Sequence, residues 1–339
     1  MAGQPSDEAF RLVQGYRVYQ MLVAACELKL PDLLASGPKG VHELAADTDT
    51  DEPSLRRLLR GLAIWGLLEQ LPEDRYAGTA VADSFRSDVP GFRNMTLNLA
   101  VEGYTAWGSL LYSLRTGKPA YEHLYGKSRW AALAEDPASA ARFNAHMVEL
   151  TTRVAAGFVE AYDFSGLATV VDVGGGNGAL LAAVLKANPA IKGVLVDLAA
   201  GLAGADELMQ SMGVAGRTTL TEGSFFESVP AGGDLYMLKS IVHDWDDEHA
   251  LQILKTCREA MAPSARIVLL ERILPDRVDS SQRGLDAVMS DLQMMVILGG
   301  RERTAEEYGA LFDSAGLRMT RTLPVGAGFG VFEAVPTGG

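Results

Sequence analysis

Apolar positions set the first pattern in the chain. Across residues 15–34, Val18, Met21, Leu22, Ala25, Cys26, Leu30, Leu33 and Leu34 recur at helical spacing and predict an amphipathic helix. Ser36-Gly-Pro-Lys-Gly40 interrupts it, and residues 41–46 predict a short helix. Asp51-Glu-Pro53 then opens a helix with proline in its first turn, and Leu55, Leu58, Leu59, Leu62 and Ala63 fall on one face of it. Residues 67–71 and 75–77, parted by Pro72-Glu-Asp74, predict a small hairpin. Helix, helix and hairpin in that order is a winged-helix pattern. Residues 92–162 read as mostly helical, punctuated at Gly117-Lys-Pro119 and Asp136-Pro137.

After Leu167 the period changes. Strands are predicted at 168–173, 193–197, 218–221, 234–238 and 266–270, alternating with helical stretches such as 179–187 and 247–262. Thr304 and Glu307 form a capping box for a helix ending before Gly316, and residues 317–323 and 329–335 predict a closing antiparallel hairpin. Alternating strand and helix imply a mostly parallel, Rossmann-like α/β sheet of seven strands behind an N-terminal α-helical winged-helix domain. The boundaries expected are 1–95 for the winged-helix domain, 96–160 for a helical linker contributing to a pocket, and 161–339 for the sheet domain.

Composition narrows the function classes. Of 339 residues, 48% are apolar, enough for two cores, yet no run reaches the roughly eighteen apolar residues of a membrane span. The N-terminus lacks the basic flank and apolar stretch of a signal peptide. Cys26 and Cys257 read as buried thiols in a reducing compartment, so a cytoplasmic location is expected. A net charge of −13 argues against a phosphate-backbone partner. Within the winged-helix stretch, Arg56, Arg57, Arg60 and Arg75 face Asp51, Glu52, Glu69, Glu73 and Asp74, which leaves no basic stripe for DNA. A dimerisation surface fits that stretch better.

The richest chemistry sits at strand ends. Thr169-Val-Val-Asp172-Val runs into Gly174-Gly-Gly176-Asn-Gly178 and then a helix, a turn that presents free N–H groups and a positive dipole end to a ligand. Gly174-x-Gly176-x-x-Ala179 satisfies the dinucleotide fingerprint, which makes NAD the first rival. Asp172 tilts the reading elsewhere: a carboxylate there gains nothing beside a pyrophosphate but gains beside an ammonium group. Asp197 closes the next strand, about twenty positions on, where it suits two ribose hydroxyls. Asp172, Asp197, His243 and Glu271 all fall at or just beyond strand C-terminal ends, the edge where open α/β sheets bind ligands.

The Gly-x-Gly-x-Gly spacing, with Lys239-Ser-Ile-Val-His243-Asp-Trp-Asp-Asp-Glu248, Glu271-Arg-Ile-Leu-Pro275, Gly299-Gly-Arg-Glu302-Arg-Thr304 and Phe143-Asn-x-x-Met147, resembles the S-adenosylmethionine (SAM)-dependent small-molecule O-methyltransferases. That family includes the plant caffeic-acid type and bacterial enzymes that tailor aromatic natural products. The resemblance spans about residues 10–335. It implies SAM as cofactor, a homodimer built through the N-terminal region, and an aromatic, phenolic acceptor. His243 is then the general base, flanked by Glu271 and Glu302. Asp172, Gly174, Gly176, Gly178, Asp197, Ser224, Phe225 and Lys239 bind the cofactor, Phe143, Met147 and Met294 line the substrate pocket, and no metal is required. An imidazole of pKa about 6.5 can take the proton of a phenol of pKa near 10 as the oxygen attacks. Gly223-Ser224 departs from the family's usual Gly-Asp, which places the adenine contact in question and leaves Phe225 to pack on the ring. Two rivals stay open: methyl transfer to carbon or non-methyl chemistry on the same fold, and a non-enzymatic regulator. His42, His123, His146 and His249 show no metal-ligand spacing and read as structural.

Overall fold

The computed structural model describes residues 5–326 and 328–338. The chain divides into two compact units, Met1–Tyr104 and Thr105–Gly339. Among the described residues no helix is long and apolar enough to cross a membrane.

In the first unit, the Asp51 side chain accepts from the Ser54 N–H at 2.9 Å and starts the Glu52–Ile64 helix, which buries Leu55, Leu59 and Leu62. That face closes on Leu44 of the Val41–Thr48 helix and on Tyr76 of a three-stranded antiparallel sheet, Lys39–Gly40 next to Arg75–Gly78 next to Leu68–Leu71. The first helix departs from the expectation of one continuous helix over 15–34. It runs Pro5–Glu27, breaks at Lys29 (φ 53°) and restarts as Leu30–Leu33. Pro31 is the cause: without an N–H it cannot continue the ladder, but it suits a first helical turn.

The second unit is built on a seven-stranded sheet of β1 Thr169–Val173, β2 Lys192–Asp197, β3 Thr218–Glu222, β4 Leu235–Lys239, β5 Arg266–Arg272, β6 Leu317–Gly326 and β7 Phe329–Pro336. Their spatial order is 3-2-1-4-5-7-6. β1 to β5 pair in parallel, and β7 runs antiparallel to both β5 and β6. Val170 and Val171 of β1, Leu235–Leu238 of β4 and 267–270 of β5 are at most 1% exposed, the near-continuous apolar run of a sheet covered on both faces. Phe158 and the Ala179–Ala187 helix cover one face, and Ile253, Leu254, Cys257 and Phe312 the other. The strand order reverses between β1 and β4, so the C-terminal ends of these two neighbours open the crevice where such sheets bind ligands.

Residues 92–162 are helical as expected, in short pieces followed by the long Pro137–Ala161 helix, which Asp136 caps through the Ala138 and Ser139 N–H groups. The Gln282–Ile297 helix was not expected. Its apolar residues are split between an exposed side (Leu285, Met289) and a buried one (Ala287, Val296, Ile297), so no clean stripe marks it in sequence.

Candidate active site

β1 delivers Asp172 and the glycine loop. Gly174 is stitched to β2 through its N–H to the Val196 carbonyl at 2.8 Å, and the Gly176 N–H donates to Asp197 Oδ2 at 2.8 Å. A Cβ on Gly175 would lie 2.5 Å from the Asp172 carboxylate, so the loop is packed from within. Gly176 (φ +59°) opens on free space, so a ligand can approach the backbone there. Asp197 also accepts from the Leu198 N–H at 2.7 Å, and each of its oxygens keeps a second lone pair for a ligand hydroxyl.

Asp172 is 1% exposed, and neither of its oxygens has a hydrogen-bond partner; only the Leu181 N–H approaches, outside bonding geometry. Burial pushes its carboxyl up to about 7, against the pull of the Lys239 charge and with some help from Asp197. A buried orphan carboxylate beside a glycine loop is the complement of a ligand ammonium group. The residues present therefore fit the amino-acid end of SAM. Lys239, at the end of β4, donates to Ser240 Oγ at 3.2 Å, and its ammonium is pulled down to about 8 by burial, against the opposing charges of Glu271, Asp172 and Asp244.

Beyond β3, Phe225 lies against Gly174, and Ser224 Oγ accepts from the Phe226 N–H at 3.3 Å. Phe225 meets Trp245 edge-on at 6.3 Å, Trp245 stacks on Trp130 at 6.5 Å, and Trp130 meets Phe143 edge-on at 5.7 Å. An aromatic wall thus joins the expected adenine contact to the expected acceptor contact. Met147 is half-buried one helical turn beyond Phe143, and Met294 stands one turn beyond Ser290 on the Gln282–Ile297 helix.

His243 follows β4 in a tight turn, Val242–Asp244, entered through Ser240 in the left-handed region (φ 54°). Glu271, at the end of β5 and fully buried, accepts from the Ile241 and Val242 N–H groups at 3.0 and 2.9 Å through Oε1. Its Oε2 has no hydrogen-bond partner and lies 3.5 Å from His243 Nδ1. Glu302, also fully buried, lies 2.9 Å from the same nitrogen through Oε1 and accepts there from Ser290 Oγ at 2.6 Å. Both acids therefore serve Nδ1, and Nε2 faces Asp244 Oδ1 at 3.3 Å. Burial pulls the imidazolium down, but Glu271, Glu302 and Asp244 together overcome it and hold the His243 pKa at about 10. Burial raises Glu271, whereas for Glu302 it is outweighed by the His243 charge and hydrogen bond, which lower it. Burial lifts Asp244 to about 7.

Among the described residues, His243, Glu271 and Glu302 place donor atoms within 4.8 Å of one another. Sequence reasoning missed Asp244, Ser290, Trp130 and Trp245, whose roles come from packing rather than spacing. It also read His146 as structural. His146 is half-buried with its Nδ1 unpartnered, and burial, then Arg153, Lys239 and Arg272, lower its pKa to about 4; nothing in the site contradicts a structural role.

A doubly wound sheet with a glycine loop at its switch point and an acid-flanked imidazole on the neighbouring strand defines a nucleotide-cofactor group-transfer enzyme. Residues 107–318 match the O-methyltransferase domain and residues 10–88 the O-methyltransferase dimerisation domain, and the chain belongs to this O-methyltransferase family. It is 40% identical over 330 residues to O-demethylpuromycin-O-methyltransferase of Streptomyces alboniger, covering 96% of this chain and 88% of that protein. The crystal structure of LaPhzM superposes with a TM-score of 0.93 at 36% identity, over 98% of this chain and 100% of that one. NcsB1, crystallised with SAM and 2-hydroxy-5-methyl naphthoic acid, superposes at 0.83 with 32% identity, over 94% of this chain and 95% of its own. Other chemistry occurs among relatives: aclacinomycin 10-hydroxylase RdmB of Streptomyces purpurascens is 37% identical over 309 residues, covering 88% of this chain and 80% of that protein.

The Asp172 carboxyl supplies a test of the cofactor cradle. Its folded pKa is raised above 3.8, so its stability penalty is absent below that pH, grows as pH rises through about 7 and is complete above it. Asp172→Asn should stabilise the ligand-free protein at pH 8 by roughly 2–4 kcal/mol, at 1.36 kcal/mol per unit, leave it unchanged near pH 3, and weaken SAM binding by roughly tenfold or more. Equal stability of the two proteins at pH 8, read by chemical denaturation, would contradict the picture of an unpaired carboxylate.

Proposed function

We propose that this SAM-dependent O-methyltransferase moves a methyl group to a hydroxyl of a phenolic small molecule in natural-product biosynthesis, with His243 as the proton acceptor. The observation that carries the reading is the pair of fully buried acids on one imidazole nitrogen. Glu302 and Glu271 hold the ring with Nδ1 as donor, so Nε2, which has only Asp244 Oδ1 at 3.3 Å, is the nitrogen that would meet an acceptor hydroxyl. When bound, SAM supplies a methyl group already activated on a sulfonium, and the electrophile needs no Lewis acid.

The task left to the chain is orientation and removal of one proton. Phenol with neutral imidazole and phenolate with imidazolium hold the same number of protons, and with both pKa values near 10 the transfer between them is close to balanced. Phenol together with imidazolium has one proton too many and is inactive. General-base help contributes roughly 10²- to 10⁴-fold, and alignment of acceptor oxygen, methyl and sulfur supplies most of the remainder. The cofactor contacts proposed are Asp197 and the glycine loop for the ribose and amino-acid end, Phe225 for the adenine, and Lys239 between the two carboxylate clusters. The acceptor lies between Phe143, Met147 and Met294.

A second reading keeps the site and changes the chemistry, as the RdmB relationship illustrates. Methyl-labelled SAM with a panel of phenols, products resolved by mass spectrometry and NMR, separates the two. Label on oxygen is expected, and an unlabelled hydroxylated product would favour the second reading. His243→Ala should lower turnover by roughly 10²–10⁴ while SAM affinity measured by calorimetry is retained, and EDTA should leave the wild-type rate unchanged. Near-normal turnover in the variant would remove the proton-acceptor role, and abolition by EDTA would install a metal in the cluster.

The working unit is proposed to be a homodimer. The Pro5–Glu27 helix exposes Phe10, Leu12, Val13 and Tyr16, each more than half exposed, within the stretch that matches the dimerisation domain. Light scattering coupled to size exclusion should give twice the 36.2 kDa chain mass. A fully active monomer at micromolar concentration would contradict it.

A further inference from the structure

Arg303 stands next to Glu302 in the chain, is 1% exposed, and is the largest fully buried side chain among the described residues. A guanidinium has five N–H donors, and here all five have acceptors. Nη1 donates to the carbonyls of Val242 at 3.1 Å and Arg301 at 3.3 Å. Nη2 donates to the Trp245 carbonyl at 3.0 Å and to Asp247 Oδ1 at 2.6 Å, and Nε to the same carboxylate oxygen at 3.0 Å. Val242 and Trp245 bracket His243; within the turn the Val242 carbonyl accepts only the long 3.4 Å bond from the Trp245 N–H, and Arg303 adds a donor to each of the two carbonyls.

The two segments are sewn together elsewhere too. The Arg301 N–H donates to the His243 carbonyl at 2.9 Å, and a Cβ on Gly300 would sit 2.1 Å from that carbonyl oxygen. The turn itself starts from a strained residue, Ser240 at φ 54°, so it needs external support to keep its shape. His243 belongs to one segment and Glu302 to the other, and Arg303 spans both.

We propose that Arg303 is a positioning residue for methyl transfer: its guanidinium locks the His243 turn against the Glu302 segment and thereby sets the 2.9 Å contact between the imidazole and Glu302. Lysine retains the charge but not the planar five-donor fork, so it cannot hold the turn carbonyls and the Asp247 carboxylate together. The catalytic half of this inference rests on His243 being the proton acceptor; the coupling half does not.

The test is an NMR titration of the histidine ring protons in the ligand-free protein, with the His243 signal assigned by its loss in His243→Ala. In Arg303→Lys the imidazole should move away from Glu302 and its pKa should fall toward 6.5 by about one unit or more. The plateau kcat should drop by about tenfold to a hundredfold while KM for SAM changes less than about twofold. Should Arg303→Lys fail to fold, Asp247→Asn loosens the outer end of the clamp, where the carboxylate is 63% exposed and also pairs with Arg301 at 3.6 Å, and should give a smaller shift of the same sign that Arg301→Ala does not reproduce. An unchanged His243 pKa in a folded Arg303→Lys protein overturns the proposal, as does a fall in kcat matched by an equal loss of SAM affinity. If the pKa shifts but His243→Ala turns over normally, the coupling stands and the proton-acceptor reading fails.

Discussion

One imidazole between buried carboxylates is the interaction on which the catalytic half of the molecule depends. Glu271 and Glu302 are both fully buried, and removing a charge from water is expensive unless it is paired and hydrogen-bonded. Glu271 meets that condition with two backbone N–H groups of the His243 turn, and Glu302 meets it with the imidazolium and Ser290. Taking away the imidazole would leave Glu302 with the Ser290 hydroxyl alone and Glu271 with its two backbone N–H groups, so the cluster also ties the His243 turn to β5 and to the 299–304 loop. Because the His243 pKa is raised, the stability it brings is complete below pH 6.5 and is lost as pH rises through about 10.

The other end of the site follows the opposite logic. Asp172 lies one strand away with no partner of its own, and its carboxyl is pushed up rather than satisfied. One cluster is internally paired, and in the other the carboxyl has no hydrogen-bond partner. Lys239 is coupled to both, since the charges of Glu271 and Asp172 both act on its buried ammonium. The switch point of the sheet brings the two together, because β1 and β4 are neighbours whose connections leave in opposite directions.

Much of this was readable without coordinates. Glycine spacing after a β-branched strand announces the loop, and the short apolar, β-forming stretches ending in Asp172, Asp197 and Glu271 predict their common edge. Phe143 and Glu302 were recoverable only through resemblance, since neither stands in a pattern that demands a function. The break at Lys29 was legible in principle, because Pro31 marks it. Arg303, Asp244 and Ser290 were not legible. Their parts depend on folded geometry: Arg303 reaches the Val242 carbonyl at 3.1 Å from 61 positions away, Ser290 reaches Glu302 at 2.6 Å from 12 positions away, and Asp244 turns back on the neighbouring His243 at 3.3 Å.

The pH dependence of kcat/KM tests the central claim most directly, measured for the wild type and for Glu302→Gln. Activity requires loss of one proton from the site, so the wild-type rate should rise with pH along a limb well above the ordinary imidazole value of 6.5, toward about 10. Removing the Glu302 charge removes the hydrogen-bonded carboxylate that helps hold the proton on His243, and the limb should move to lower pH whatever happens to the maximal rate. A limb that stays in place in Glu302→Gln, or a rate without any pH dependence, would contradict the account.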